Sequence, residues 1–216
     1  MKIPVIINNR DLLTWPKAMV EKIKTYKDVG SIYIVDNGST YSPLLEWYKT
    51  NPCGIIMEKN LGFSAPWLSG IVENVASPYY VVTDSDMGLE DTPEDTLVYL
   101  LDKLRRLNLD KIGLGLDWQR VKPESMYYNR MQGHEKNRWA TSKVSDDVYL
   151  DVQIDTTFAL YKRGSYFIGG ASTTFPYVAR HLPWELSRED YENNEEFKNY
   201  VQNATASSSY KWFLGL

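Results

Sequence analysis

Short apolar runs alternate with amphipathic stretches through the first half of the chain, the spacing of a repeated β/α unit. Lys2 to Ile7 is the first run and reads as a buried strand. A polar turn follows, Asn8-Asn9-Arg10-Asp11. A helix is expected next, with Thr14 as cap, Pro16 in its first turn and Met19, Val20 and Ile23 on one face. Ser31 to Val35 predicts the second strand, and Ser42-Pro43 opens a short helix through Leu44, Leu45 and Trp47. Gly54 to Met57 predicts the third strand, a helix is expected from Ala65 to Val75, and Tyr79 to Thr83 predicts the fourth strand. Thr92-Pro93-Glu94-Asp95 has the form of a capping box before Leu97, Leu100, Leu101 and Leu104. Lys111 to Leu116 reads as a further strand.

From Asp117 to Asp147 the periodicity stops. The segment is long, polar, aromatic and basic, as functional lids and disordered loops are. Alternation returns from Val148 to Tyr161, where Leu150, Val152, Ile154, Thr156, Phe158 and Leu160 share one parity. An acidic helix is expected from about Ser187, with Tyr191, Phe197 and Val201 as its apolar side. This order predicts an α/β fold: a single Rossmann-like domain with a mixed, mostly parallel central sheet flanked by helices.

Composition narrows the partners. At 216 residues the chain is expected to form one domain with a core of its own. The formal charge of -4 excludes a nucleic-acid footprint, so a polyanionic ligand needs local help from a cation. Cys53 is the one cysteine, which rules out an internal disulfide and fits a reducing, cytoplasmic setting. No apolar stretch reaches the ~18 residues of a membrane span. The 16 Tyr and 7 Trp are enough to fill a core and to line a sugar site as well.

Candidate chemistry begins at Asp84-Ser85-Asp86, at the end of the fourth strand, where open α/β sheets place ligands. Two carboxylates there repel each other unless a cation or hydrogen-bond donors compensate. A metal shared with a diphosphate would do so; a turn with helix-capping Asp residues is the plainer alternative. Asp36, in Ile34-Val35-Asp36-Asn37-Gly38-Ser39-Thr40, ends the second strand and could accept from a uracil imide or a ribose, or simply head an Asn-Gly turn. Asn60-Leu61-Gly62-Phe63-Ser64-Ala65 is a small-residue entry to a helix.

As an ordered set, these three segments resemble the GT-A glycosyltransferases, in particular family 2, over about the first half of the chain. More narrowly, the chain is similar to the small glycosyltransferase domains encoded by large algal viruses, which would put it in a host cytoplasm. The resemblance implies a donor half, 1–116, and an acceptor-side half, 117–216, with a lid loop over 117–147. It implies that Asn8, Asn9, Arg10 and Asp36 hold the nucleoside of a UDP-sugar, with Asn60, Gly62 and Ser85 beside them. Asp84 and Asp86 would face Mn²⁺ or Mg²⁺ and the diphosphate, so that Asp86 serves catalysis through the metal. A later His completes the metal sphere in several such enzymes, and His181 is the choice here, His134 lying in the expected lid. The acceptor would be a hydroxyl of a glycan or glycoprotein, and the chain could be one domain of a longer protein.

The second half departs from the family. Glu135-Lys136-Asn137-Arg138-Trp139 only approaches the Q-x-x-R-W signature of processive synthases. No base motif follows the acidic pair, which leans the reading towards retention of configuration. Asp151 and Asp155 flank the late alternating segment, and Asp155, before Thr156-Thr157, is the preferred catalytic, sugar-contacting carboxylate. Three other classes compete: a sugar nucleotidylyltransferase of similar fold, whose glycine-rich, arginine-bearing loop after the first strand is not matched by Asn8-Asn9-Arg10-Asp11; a non-catalytic nucleotide- or sugar-binding module of the same fold; and a D-x-D phosphatase. The phosphatase motif lies near the domain start and continues with Thr or Val, where this chain has Met87-Gly88.

Overall fold

The structure, a computed structural model, describes residues 1–150, 152, 154, 157–165 and 169–204. Four parallel strands form its first half: β1 (Ile3–Asn9), β2 (Val29–Asn37), β3 (Gly54–Glu58) and β4 (Tyr79–Asp84). They are linked by α1 (Thr14–Lys24), α2 (Ser42–Thr50), α3 (Ala65–Leu68) and α4 (Ile71–Asn74). Next come β5 (Met87–Gly88), α5 (Thr96–Arg106), β6 (Lys111–Gly113), β7 (Gly115–Leu116) and α6 (Tyr128–Thr141). The chain closes with β8 (Lys143–Ser145), β9 (Val148–Leu150), β10 (Ala159–Lys162), β11 (Ala171–Thr173), β12 (Val178–His181), α7 (Arg188–Glu192) and α8 (Glu195–Asn203).

Among the described residues the main sheet has the order β3-β2-β1-β4-β10-β6-β11-β9-β8. Only β10 and β9 run against the rest, so the sheet is mixed and mostly parallel, as the sequence predicts. Its inner strands are apolar on both faces because both faces are covered. Ile3, Val5 and Ile7 of β1 turn to one face, with Met19, Val20 and Ile23 of α1 and Leu97, Leu100 and Leu104 of α5. Ile6 turns to the other, with Val35, Val82, Ala159, Ile71 and Val72. A second sheet, β5-β12-β7, stands beside the carboxyl ends of these strands.

Several expected elements are divided. The helix expected over 65–75 is two short ones, because Gly70 between them takes φ 75, which stops the helix. The strand expected over 111–116 changes sheets at Leu114, whose N–H goes to Phe158 O while Gly115 and Leu116 pair with β12. α5 starts at Thr96; Thr92 instead bonds the Leu89 carbonyl and the Tyr26 hydroxyl. The segment 117–147 is corrected most: it holds helix α6 rather than a continuous loop. That helix has few apolar positions, and Met131 with Tyr127 and Val121 anchors it, which leaves almost no periodic signal. The late alternating segment is two strands with different neighbours, β9 beside β8 and β11, and β10 between β4 and β6. The acidic tail helix is α7 and α8, each with its own cap, Ser187 and Asn194.

Candidate functional site

From β1 the chain moves outward to β2 and β3, then returns across β1 to β4, so β1 and β4 bound a topological switch point. The registers Asn8↔Asp84 and Asn9↔Asp36 bring the polar ends of β1, β2 and β4 side by side. Hydrophobic parity ends at these residues, and polar groups crowd together where the strands stop.

Asp36 is wholly buried. The Ser39 N–H donates to its Oδ1 at 2.8 Å and the Tyr48 hydroxyl to its Oδ2 at 2.9 Å. Burial, and then the Asp36 charge, push the Tyr48 phenol far above its usual range, so it stays protonated and donates. Asn9 Nδ2 donates to Tyr48 Oη at 2.8 Å and to the Leu12 carbonyl at 2.9 Å. Asp11, in a left-handed conformation at φ 52, accepts the Thr40 and Tyr41 N–H groups at 2.6 and 2.9 Å. Its own N–H donates to Ser39 Oγ at 2.8 Å, so the turn after β1 and the loop after β2 brace each other. Gly38 makes the connecting bend at φ 78, where a Cβ would stand 3.1 Å from the Asn60 nitrogen.

Asn37 ties this loop to the third segment. Its Oδ1 accepts the Leu61 N–H at 2.5 Å and its Nδ2 donates to the Gly62 carbonyl at 2.8 Å. Asn8 Nδ2 reaches the same carbonyl at 3.4 Å, and Asn60 Oδ1 accepts the Gly62 N–H at 3.1 Å. Buried polar atoms left without a hydrogen bond gather at the end of β1: Asn8 Oδ1, Asn9 Oδ1, Arg10 Nε and Asp11 Oδ2, the last two 3.8 Å apart. Such orphans are rare in protein interiors and mark places that water or a ligand completes.

The acidic pair lies against the second sheet. Ser85 is buried and its N–H donates to the Asn8 carbonyl at 3.1 Å, while Asp84 and Asp86 are half-buried. The Asp86 carbonyl accepts the Leu182 N–H at 3.0 Å, and β12 pairs His181 with Met87. His181 Nε2 therefore stands 3.6 Å from Asp86 Oδ2, its Nδ1 is buried without a hydrogen bond, and its ring packs on Trp184 at 4.7 Å. Tyr191 of α7 lies near Tyr127 and Asp86; burial first, then the influence of Tyr127 and the Asp86 charge, hold its phenol protonated.

Asp86 and His181 are a carboxylate and an imidazole, donors of a kind that Mn²⁺ accepts. No three metal-ligating side chains come together among the described residues. The pair is thus a partial donor set, and a metal held there would need further ligands such as the oxygens of a bound diphosphate.

Of the residues singled out in the sequence, Asn8, Asn9, Arg10, Asp36, Asn60, Gly62, Asp84 and Ser85 come together around the switch point. Asp86 and His181 meet at the second sheet. Asp155 and Asp151 lie outside the described residues. Sequence reasoning missed Asp11, Asn37 and Tyr48. Asp11 sits in the polar turn after β1 and Asn37 in the loop motif itself, so both carried a signal; Tyr48, on the apolar face of α2, carried none.

No protein-family model and no curated protein matches the sequence. Solved structures do match in shape. One is the mannosyltransferase PcManGT from Pyrobaculum calidifontis in complex with GDP-Man and Mn²⁺. It has 12% identity and a TM-score of 0.55, covering 99% of this chain and 68% of that one. Another is S. aureus TarS, at 13% identity and a TM-score of 0.52, covering 99% of this chain and 42% of that one. The chain therefore spans less than half the length of TarS. At such identities the likeness shows the fold: a GT-A, Rossmann-like domain. No helix among the described residues is long and apolar enough to cross a membrane.

Proposed function

We propose that the chain is a metal-dependent glycosyltransferase that moves a hexosyl group from a UDP-sugar to a hydroxyl of a glycan or glycoprotein. The observation that supports this reading is the Asp86–His181 pair at the second sheet, beside a switch point where Asn8, Asn9 and Asp11 leave buried polar atoms without hydrogen bonds. The fold's likeness to a mannosyltransferase bound to GDP-Man and Mn²⁺ supports the class of chemistry.

In this reading Asp84 and Asp86 hold Mn²⁺ or Mg²⁺, with His181 as the nitrogen ligand. Bound there, the metal supplies charge neutralisation for the leaving diphosphate. Asn8, Asn9, Arg10 and the 36–41 loop form the nucleoside end. Asp36 and Asp11 act mainly by fixing that loop, since their carboxylates are turned to backbone N–H groups. Asn37, Asn60 and Gly62 set the neighbouring wall. Residues 1–116 carry the donor and 117–216 the acceptor, and Asp155 is the carboxylate assigned to the sugar. Transfer is with retention.

Incubation with a panel of UDP- and GDP-sugars and Mn²⁺, with release of the nucleoside diphosphate as readout, tests the proposal. UDP release that stops on chelation is the expected result. Release from GDP-sugars alone would overturn the uridine assignment, and donor binding without turnover on any acceptor would favour the non-catalytic module. A phospho-aspartate trapped at Asp84 would favour the phosphatase.

A further inference from the structure

A concavity of about 180 Å³ opens on the face of the β5-β12-β7 sheet that turns away from the core. Ala179 of β12 is buried in the core, so its neighbours Val178 and Arg180 turn outward and line the pocket. Gly88 lies at the pocket's edge, packed so closely that a Cβ there would stand 2.8 Å from the Leu182 side chain, and Asp91, Asp117, Arg120 and Phe175 surround the pocket. The pocket shares strands β5 and β12 with the surroundings of the acidic pair but opens on the other face of β12: Arg180 lines it, while the next residue, His181, turns with Ala179 and Met87 to the opposite side.

Its chemistry is specific. Phe175 is 47% exposed, an unusual position for a large aromatic ring, and Trp139 supports it edge-on at 5.7 Å. Arg120 bridges Asp91 at 2.7 Å and Asp117 at 3.1 Å. Arg180 Nε donates to Glu185 at 2.7 Å, and its Nη1 lies 3.4 Å from Glu90. Among the described residues, two guanidinium groups are thus held by four carboxylates, and the local charge is already negative. An incoming phosphate or carboxylate would be repelled. A neutral ligand with many hydroxyls would not be: it can donate to the carboxylates, accept from the guanidinium edges and lay its C–H face on Phe175.

We infer that this pocket binds an uncharged saccharide, with Phe175 as its stacking platform and the Arg120 and Arg180 ion pairs as its polar walls. The inference goes beyond the glycosyl-transfer reading: it adds a saccharide site on the face of β12 opposite His181.

Saturation-transfer NMR on the full chain, with UDP and Mn²⁺ present, tests this. The probes are methyl glucoside, methyl mannoside, methyl N-acetylglucosaminide and glucose 6-phosphate. At least one neutral glycoside should bind, and Phe175→Ala should weaken it about tenfold. Glucose 6-phosphate should bind more weakly than every neutral probe that binds. The response of Phe175→Ala to UDP with Mn²⁺ in a thermal shift serves as the control that the variant is folded; should it not fold, Arg120→Gln should show the same weakening. Equal or tighter binding of glucose 6-phosphate, no binding of any glycoside, or unchanged affinity in the folded variant would overturn the inference. If the wild type responds to UDP with Mn²⁺ yet binds no glycoside, the saccharide-site inference alone fails. No response to any nucleotide would bring down the glycosyl-transfer reading itself.

Discussion

Replacing Asp86 with Asn should lower Mn²⁺-dependent release of UDP from a UDP-sugar by about a thousandfold, a loss of roughly 4 kcal/mol of transition-state stabilisation. The exchange keeps the size of the side chain and removes its charge. The Asp86 carbonyl, which accepts the Leu182 N–H, is untouched, so the join between β5 and β12 survives. The fall should lie mainly in kcat, because the charge that the metal neutralises grows as the diphosphate leaves. His181→Ala should cost less, since a water can take the position of an imidazole ligand. An Asp86→Asn enzyme within about tenfold of the wild type would contradict the assignment of the acidic pair.

The largest expected effect on stability comes from a residue far away in sequence. Glu196 of α8 is buried, and its Oε1 accepts the Leu13 and Thr14 N–H groups at 2.8 and 3.0 Å. Its Oε2 accepts the Thr14 hydroxyl at 2.7 Å. The carboxylate thus caps the start of α1 from another element, where the free N–H groups and the helix dipole favour a negative charge. Glu196→Ala takes the charged acceptor from the half-buried Leu13 N–H and from both Thr14 donors, and should cost about 3 kcal/mol. For a domain of this size that lowers the melting temperature by about 6–12 °C. Glu196→Gln, which keeps an acceptor oxygen, should recover part of the loss. A change below about 2 °C for the alanine variant would mean that solvent replaces the cap at little cost. Asn203 of the same helix donates to Thr40 Oγ1 at 3.1 Å, so loosening α8 should also weaken nucleotide binding through the 36–41 loop.

The donor side of the fold was legible because its information is local. A buried parallel strand is a short apolar run, and the runs ending at Asn9, Asn37 and Asp84 stop where polar residues begin. The loop motif around Asp36 showed where a tight bend must lie, and Gly38 makes it. What stayed hidden depends on contacts between distant segments. α6 has a mostly polar surface and is held by Tyr127 and Met131, so no period marked it as a helix. The run from Ile112 to Leu116 is uniformly apolar, and nothing in it shows that Leu114 is the point where the chain leaves one sheet for another. His181 could be chosen only by elimination and by the resemblance; its place beside Asp86 follows from the register of β12 on β5. Glu196 looked like one more charge on an acidic helix. Its role as a cap appears only when α8 is laid against the start of α1.

Calorimetric titration of the full chain with UDP, with and without Mn²⁺, tests the central claim most directly. Binding that is at least about tenfold tighter with the metal, and that loses this gain in Asp86→Asn, is the result expected if Asp84 and Asp86 hold a metal against a diphosphate. UDP affinity that does not change with Mn²⁺, or a metal effect that persists in Asp86→Asn, would contradict it.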